Sequence, residues 1–302
     1  IDVANMTGRL GAEDLNAEVR QTIRRTMAEV NPDTILLGES TNDAASDFQG
    51  DAWHGAMTYA PFTRPLWSWL MHPGSRAAGG IGFAGAEVPA HTGVQFFAAH
   101  SRFVAGFPWR TRLGTLNALD THDTPRFLTS AMPGTVPVAF GLAATLPGIP
   151  VVFAGDEFGL VGEDGEASRT PIPWQLLDDD GGDLARDTTA LYSALIALRR
   201  TQPALNGGGI RWLHVGDDVL VFVRESAENS VLVAAGRGDF SVVIPAAALA
   251  TAFAGANAPL PLIGAEVDGF DGVSLAASDD GITLSASGPQ FAAWALSGVE
   301  SP

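Results

Sequence analysis

The 302-residue sequence predicts an α/β chain followed by a small antiparallel β-domain, and three observations predict it. Three apolar runs, Thr34–Glu39, Leu113–Asp123 and Ile149–Glu157, each end abruptly in carboxylates, and the chain opens on Ile1-Asp2. Helical patterns with apolar residues three and four apart separate these runs. From Leu205 onward the apolar period changes from helical spacing to two.

Runs of this kind read as buried parallel strands. In a barrel of parallel strands the interior is packed with apolar side chains, whereas the C-terminal strand ends open onto a solvated face where acids from different strands converge. The stretch Leu119–Arg126 (LDTHDTPR) is the plainest case, since the apolar run before it stops at His122 and Asp123.

In chain order, Gly8–Gly11 forms a connector. Leu15, Val19, Ile23, Met27 and Val30 then mark one apolar helix stripe that Asn31-Pro32 stops. A short turn feeds the strand Thr34–Leu37, which makes helix, short loop and buried strand, the α/β repeat unit. Thr41–Asp51 reads as a polar loop, and Trp53–Tyr59 as an irregular strand. Pro61–Pro89, with Gly74, Gly79, Gly80 and Gly82, suggests a short helix and a mobile excursion. Helices are predicted over Thr92–Phe103, Val138–Leu146 and Asp187–Arg200, the last stopping at Gln202-Pro203. Strands follow at Val219–Val223, Val231–Ala235, Phe240–Ile244, Ile282–Ser285 and Phe291–Leu296. The expected domains are therefore 1–204 and 205–302.

The formal net charge of −17, with no Lys, argues against a nucleic-acid or anionic-membrane partner. No window is apolar and long enough to span a bilayer. The absence of Cys removes thiol nucleophiles, disulfides and thiolate metal sites. Ile1–Met6 reads as the interior of an element, so the chain is expected to be a fragment.

Four ordered motifs now carry a resemblance. Ile1–Asn5 (IDVAN), Leu37–Glu39 (LGE), Thr121–Asp123 (THD) and Gly148–Glu157 (GIPVVFAGDE) resemble, in order and spacing, the later motifs of the α-amylase superfamily of glycoside hydrolases. Gly162–Trp174, with Arg169 and Pro171–Trp174 (PIPW), is similar to the loop after the last strand in the oligosaccharide-cleaving members. The resemblance implies that 1–204 is the C-terminal half of a (β/α)8 TIM barrel, starting at the nucleophile strand, and that 205–302 is the family's C-terminal β-sandwich module.

Carried over residue by residue, the resemblance implies Asp2 as nucleophile, Glu39 as general acid/base and Asp123 as the carboxylate that holds sugar hydroxyls and stabilises the transition state. It places His122 on a sugar hydroxyl and Asn5 at the next sugar or product site. Retaining glycoside hydrolysis needs one ionised and one protonated carboxyl roughly 5–5.5 Å apart. Asp2 and Glu39 lie about one βα unit apart, so their strand ends are expected to be neighbours. Trp53, His54, Tyr59, Trp67 and Trp69 are candidates to contact sugar rings, with simple packing as the alternative.

The expected substrate is an α-glucan or maltooligosaccharide, cleaved by a neopullulanase-, cyclomaltodextrinase- or oligo-α-glucosidase-like enzyme through a covalent glucosyl-Asp2 intermediate. Two alternatives stay open, an α-glucosyltransferase of the same superfamily and a non-catalytic amylase-like scaffold. No cofactor and no metal are expected. Asp178–Asp183 (DDDGGD) lacks the alternation of a calcium loop, and His91 and His100 lack zinc-ligand spacing. The subfamily resemblance implies a cytoplasmic location. The family's earlier strands supply an Arg, an Asn-His pair and a stacking aromatic that these residues do not include, so the isolated chain is expected to be poorly active.

Overall fold

The computed structural model describes residues 1–75, 86–177, 182–249, 260–262, 270, 272–278 and 280–296. Residues 76–85, within the expected excursion, and 178–181, within the expected acidic loop, lie outside them.

A small hairpin, β1 (Arg9–Leu10) and β2 (Glu13–Asp14), leads into helix α1 (Asn16–Val30). The helix is where the sequence predicts it, but its buried face is not the expected stripe. Leu15, Met27 and Val30 are exposed, Val30 by 83%, whereas Asn16 and Arg20 face inward. The reason is a polar network: the Asn16 amide donates to the Ala4 and Thr7 carbonyls at 2.9 and 2.7 Å, and Arg20 pairs with Asp51 at 3.1 Å. Hydrogen bonds to otherwise orphaned carbonyls dock this side of the helix, and only Ile23 packs on the core formed by Phe48, Trp53 and Phe107.

The α/β part is built on parallel pairs. β3 (Leu37–Glu39) runs parallel to β4 (Gly55–Met57), with Glu39 opposite Met57. After α2 (Thr63–Leu70), α3 (Gly93–Val104) and α4 (Trp109–Gly114) comes β5 (Leu116–Ala118). Helix α5 (Val136–Thr145) then returns the chain to β6 (Ile149–Val151), parallel to β5. The start of α3 is set by a capping box, in which Thr92 and Gln95 satisfy each other's backbone N–H groups. Leu113, expected in a strand, belongs to α4, because Arg112 N–H already bonds the Pro108 carbonyl as a helical turn. β4 and β5 meet where the Ala56 N–H donates to Thr115 Oγ1 at 3.3 Å. Gly55 makes that approach possible, since a Cβ there would lie 1.8 Å from the Gly114 carbonyl oxygen.

Helix α6 (Asp183–Thr201) and the short α7 (Pro203–Gly207) precede the antiparallel region. β7 (Gly209–Val215), β8 (Val219–Glu225) and β9 (Ser230–Gly236) form a meander that β14 (Gln290–Leu296) and β11 (Leu260–Pro261) extend in the order β11-β14-β9-β8-β7. A second sheet holds β10 (Phe240–Pro245), β13 (Gly281–Ala286) and β12 (Ser274–Ser278), with α8 (Ala246–Leu249) after β10.

The strand β8 is apolar at nearly every position because both its faces are covered. Val219, Val221 and Val223 pack with Ile244, Ile282 and Leu284 of the second sheet. Leu220 and Phe222 turn the other way, into a core shared with Phe140 of α5, Leu195 of α6 and Phe291 of β14. Trp67 and Trp69 lie in this same core, fully buried, their indole N–H groups bonded to the Leu119 and Asp217 carbonyls. They are packing residues, not sugar platforms.

Candidate active site

The carboxylates converge because neighbouring parallel segments end together. The Ile1 backbone nitrogen bonds the Leu37 carbonyl at 2.8 Å and the Glu39 N–H bonds the Ile1 carbonyl at 2.9 Å, the slanted pairing of parallel backbone. This lays Ile1–Val3 along the outer edge of β3 and sets Asp2 beside Glu39. Val3 then takes a positive φ of 45°, an unusual state for a β-branched residue, and its N–H donates to Glu39 Oε2 at 2.7 Å. The strained turn thus fixes the Glu39 carboxylate next to the Asp2 backbone.

On the other side of β3, Tyr59 follows β4 and bonds Thr121 Oγ1 through its hydroxyl at 2.9 Å. Burial pushes this phenol up to about 12, and the negative fields of Asp123 and Glu39 push in the same direction. Tyr59 therefore stays protonated between the two acids and ties the end of β4 to the end of β5.

Asp123 sits on a tight turn. Thr121 Oγ1 accepts from the Asp123 N–H at 3.2 Å, and Thr124 Oγ1 accepts from the Thr121 N–H at 2.9 Å. From the loop after β6, Arg169 Nη2 reaches Asp123 Oδ1 at 3.1 Å while its Nε donates to the His122 carbonyl at 2.9 Å. His122 Nε2 lies 3.4 Å from Asp123 Oδ2 with its ring largely exposed. The loop comes this close because Gly165 has no side chain; a Cβ there would stand 3.1 Å from the His122 carbonyl oxygen.

The structure therefore brings Glu39, His122 and Asp123 to one face, with Tyr59 and Arg169 among them and the backbone of Ile1–Val3, which carries Asp2, along Glu39. Asn5 lies just beyond, half-buried, its carbonyl accepting from Arg9 at 2.5 Å. Two expected residues are elsewhere. Trp53 is 1% exposed and packs against Phe48 at 6.3 Å between ring centroids. His54 accepts the Leu36 N–H at 2.8 Å and faces Arg24, its pKa lowered by burial and then by that guanidinium. Both precede β4, so they lie at the N-terminal end of the parallel pair, whereas the acids lie at its C-terminal end.

Among sequence signals, the Gly162–Trp174 loop was visible but the partner of Arg169 was not. Tyr59 was grouped with stacking aromatics, whereas its hydroxyl is the part in use. Among the described residues no three His, Asp or Glu side chains are arranged to hold a metal ion.

Below this face a second set of acids is buried. Asp120 is 1% exposed and accepts the Phe127 N–H at 2.5 Å. Asp156 pairs with the buried Arg126 at 2.6 Å, and Arg126 also donates to the Ala154 and Ser168 carbonyls. Burial, then the charge of Asp156, pushes Asp120 well above the usual carboxylate range, so it keeps its proton.

No family model matches the chain. It is 29% identical over 240 residues to neopullulanase 2 of Thermoactinomyces vulgaris, covering 77% of this chain and 37% of that one. It is 27% identical over 226 residues to a cyclomaltodextrinase of a Bacillus species, covering 74% and 37%. The chain thus spans little more than a third of the length of these curated relatives. Among solved structures, the debranching enzyme of Nostoc punctiforme superposes with a TM-score of 0.72 at 20% identity, over 91% of this chain and 53% of that one. The cyclic alpha-maltosyl-(1→6)-maltose hydrolase of Arthrobacter globiformis superposes with a TM-score of 0.68 at 21% identity, over 94% and 54%. These structural likenesses concern the fold.

Proposed function

We propose, from the membership of this chain in the α-amylase superfamily of glycoside hydrolases, that it carries the catalytic carboxylates of a retaining α-glucosidic hydrolase acting on maltodextrins or related α-glucans. The parallel pairs β3–β4 and β5–β6 are read as later strands of a (β/α)8 barrel within 1–204, and the antiparallel sheets as a separate module within 205–302. The observation that carries the proposal is that Glu39 and Asp123 both lie against Tyr59 while Val3 N–H, next to Asp2 in the chain, donates to the Glu39 carboxylate.

In this reading the Asp2 carboxylate attacks the anomeric carbon while the Glu39 carboxyl gives its proton to the departing glycosidic oxygen. The C1–O bond breaks as the C1–Asp2 ester forms. Glu39, now ionised, takes a proton from water, whose oxygen attacks C1 and releases Asp2. Asp123, held by Arg169 and beside His122, accepts hydrogen bonds from sugar hydroxyls that strengthen as charge builds on the ring. Transfer to a sugar acceptor in place of water uses the same intermediate.

Cyclomaltodextrin and linear maltodextrin supplied to the full-length protein, with and without added glucose as acceptor, test the proposal. Reducing ends that appear with retained anomeric configuration support it. Longer oligosaccharides dominating whenever acceptor is present shift the assignment to a transferase. No turnover of any α-glucan by a well-folded full-length protein contradicts it.

A further inference from the structure

The segments that carry Asp2 and Glu39 meet a second time, away from the face itself. After Val3 the chain turns at once, the Met6 N–H bonding the Val3 carbonyl at 2.9 Å and the Arg9 N–H the Met6 carbonyl at 3.0 Å. After Glu39 it runs into a loop that contains a single 3-10 turn, Ala45–Asp47. Asp47 lies between that loop and the turn, 8% exposed.

One carboxylate here serves two guanidinium groups. Arg9 grips it as a fork, Nη1 on Oδ2 at 2.7 Å and Nη2 on Oδ1 at 3.0 Å, the geometry in which an Arg–carboxylate pair is strongest. Arg20 of α1 stands 3.4 Å from Oδ1. Each guanidinium then leads back to the turn: Arg9 Nη1 donates to the Asn5 carbonyl at 2.5 Å, and Arg20 Nη1 to the Asn16 side-chain oxygen at 2.8 Å. The Asn16 amide holds the Ala4 and Thr7 carbonyls, so Asp47 is tied to the backbone of residues 4–7 by two routes. Packing closes the same contact. A Cβ on Gly38, in the middle of β3, would stand 3.0 Å from Ala4 Cβ and 2.9 Å from the Phe48 ring, which leaves turn, loop and strand little room to slide.

The residue just before this network is the one under constraint. Val3 keeps a φ of 45°, an outlier for a β-branched side chain, and in that state points its N–H at Glu39 Oε2. Such a conformation persists only where its surroundings over-determine it. The far end of the network makes a natural comparison. Asp51 pairs with Arg20 at 3.1 Å and accepts from Gln21 at 2.8 Å, joining the loop to α1 without touching residues 4–7.

We propose that Asp47 is a positioning residue for the reaction: clamped by Arg9 and Arg20, it locks the turn after Asp2 against the loop after Glu39 and keeps the Val3 N–H on the acid/base carboxylate. Without the clamp, Val3 relaxes toward the ordinary β region and the peptide joining it to Asp2 turns away from Glu39. The catalytic part of this inference rests on the glycosidase reading, whereas the clamp is readable without turnover.

The full-length protein labelled with ¹⁵N-valine gives the first readout. In Asp47→Asn, which keeps the shape and removes the charge, the Val3 amide proton should move upfield and exchange with solvent about tenfold faster. Arg9→Met, which opens the clamp from its more exposed side, should move the same signal, and Asp51→Asn should leave it in place. Turnover of maltodextrin per folded molecule gives the second. Both clamp variants should lose about ten- to a hundredfold in kcat, the scale of a small misplacement of reacting groups, with KM within about twofold. Asp51→Asn should lower the unfolding midpoint while kcat stays within about twofold of the parent, a split that a purely structural network would not produce. A Val3 amide unmoved in Asp47→Asn, or a kcat that falls no further there than in Asp51→Asn, would overturn the proposal. A parent that turns over no α-glucan removes the glycosidase reading and the catalytic role of the clamp with it, whatever Val3 does.

Discussion

The acids at the open face and the acids beneath it come from the same stretches of chain but live in opposite surroundings. Asp123 is partly exposed and steadied by one Arg169 guanidinium and one imidazole. Asp120, three residues earlier, is sealed among Phe127, Tyr192 and Asp156, where burial keeps its proton on. Likewise Glu157 closes the motif that contains Asp156, but only Asp156 faces Arg126. The turn after β5 sends Thr121 toward Tyr59 and Asp120 to the other side, so one motif feeds both a solvated reaction face and a dry supporting layer. The upper layer carries the proposed chemistry, and the lower layer holds the loops beneath it.

Several changes break or sharpen this contrast. The largest effect belongs to the face: Glu39→Gln in the full-length protein should lower turnover of maltodextrins by about 10³-fold, the scale of a lost general acid, with little change in unfolding midpoint. Equal turnover of the variant and the parent removes Glu39 from the mechanism.

The supporting layer should answer in stability instead. Arg126→Met leaves the buried Asp156 without its counterion and the Ala154 and Ser168 carbonyls without a donor. The expected cost is about 3–5 kcal/mol in urea unfolding, as for other buried pairs broken from one side. A variant as stable as the parent would show that Arg126 does not organise this layer.

A third change concerns a buried imidazole away from both layers. His100 is stacked on Phe96 and bonded to the Pro61 carbonyl, and burial, then Arg112, lowers its pKa from 6.5 to about 4. The folded state therefore prefers the neutral ring. The stability this contributes is whole above pH 6.5 and is lost as pH falls from there toward pH 4, by about 3 kcal/mol. Unfolding free energies measured over that window should fall accordingly, and His100→Gln should flatten the slope; an unchanged slope contradicts the assignment.

The smallest expected effect is Arg169→Ala. Asp123 loses its one guanidinium partner among the described residues but keeps its turn, so kcat/KM should drop by about tenfold while stability is nearly unchanged, since both side chains of the pair are partly exposed. A drop as deep as that of Glu39→Gln would instead make Arg169 a direct contact of the reacting sugar.

The positions of Glu39 and Asp123 were legible because each closes an apolar run, and a strand end is a place where sequence alone says which residue first meets solvent. Trp53 and His54 were misplaced because a strand has two ends: reading Trp53–Tyr59 as one element hid that its first residues sit opposite Leu36, away from Glu39. The stripe on α1 was correct as a period and wrong as a face, because the Asn16 and Arg20 network binds carbonyls and carboxylates far along the chain, from Ala4 to Asp51. The continuous apolar run of β8 was legible as a strand, but that it serves two cores depends on α5 and α6 covering its second face. The buried Asp120 layer could not be read at all, since burial of a side chain two positions past a strand end depends on what the distant helix α6 brings over it.

The measurement that bears most directly on the central claim is covalent trapping. The full-length protein, incubated with a 5-fluoro-α-glucosyl fluoride and digested, should yield one peptide heavier by a single fluoroglucosyl group, with the modification on Asp2. A label on any other residue, or a folded and active protein that takes no label, would contradict the account of Asp2 as the nucleophile beside Glu39.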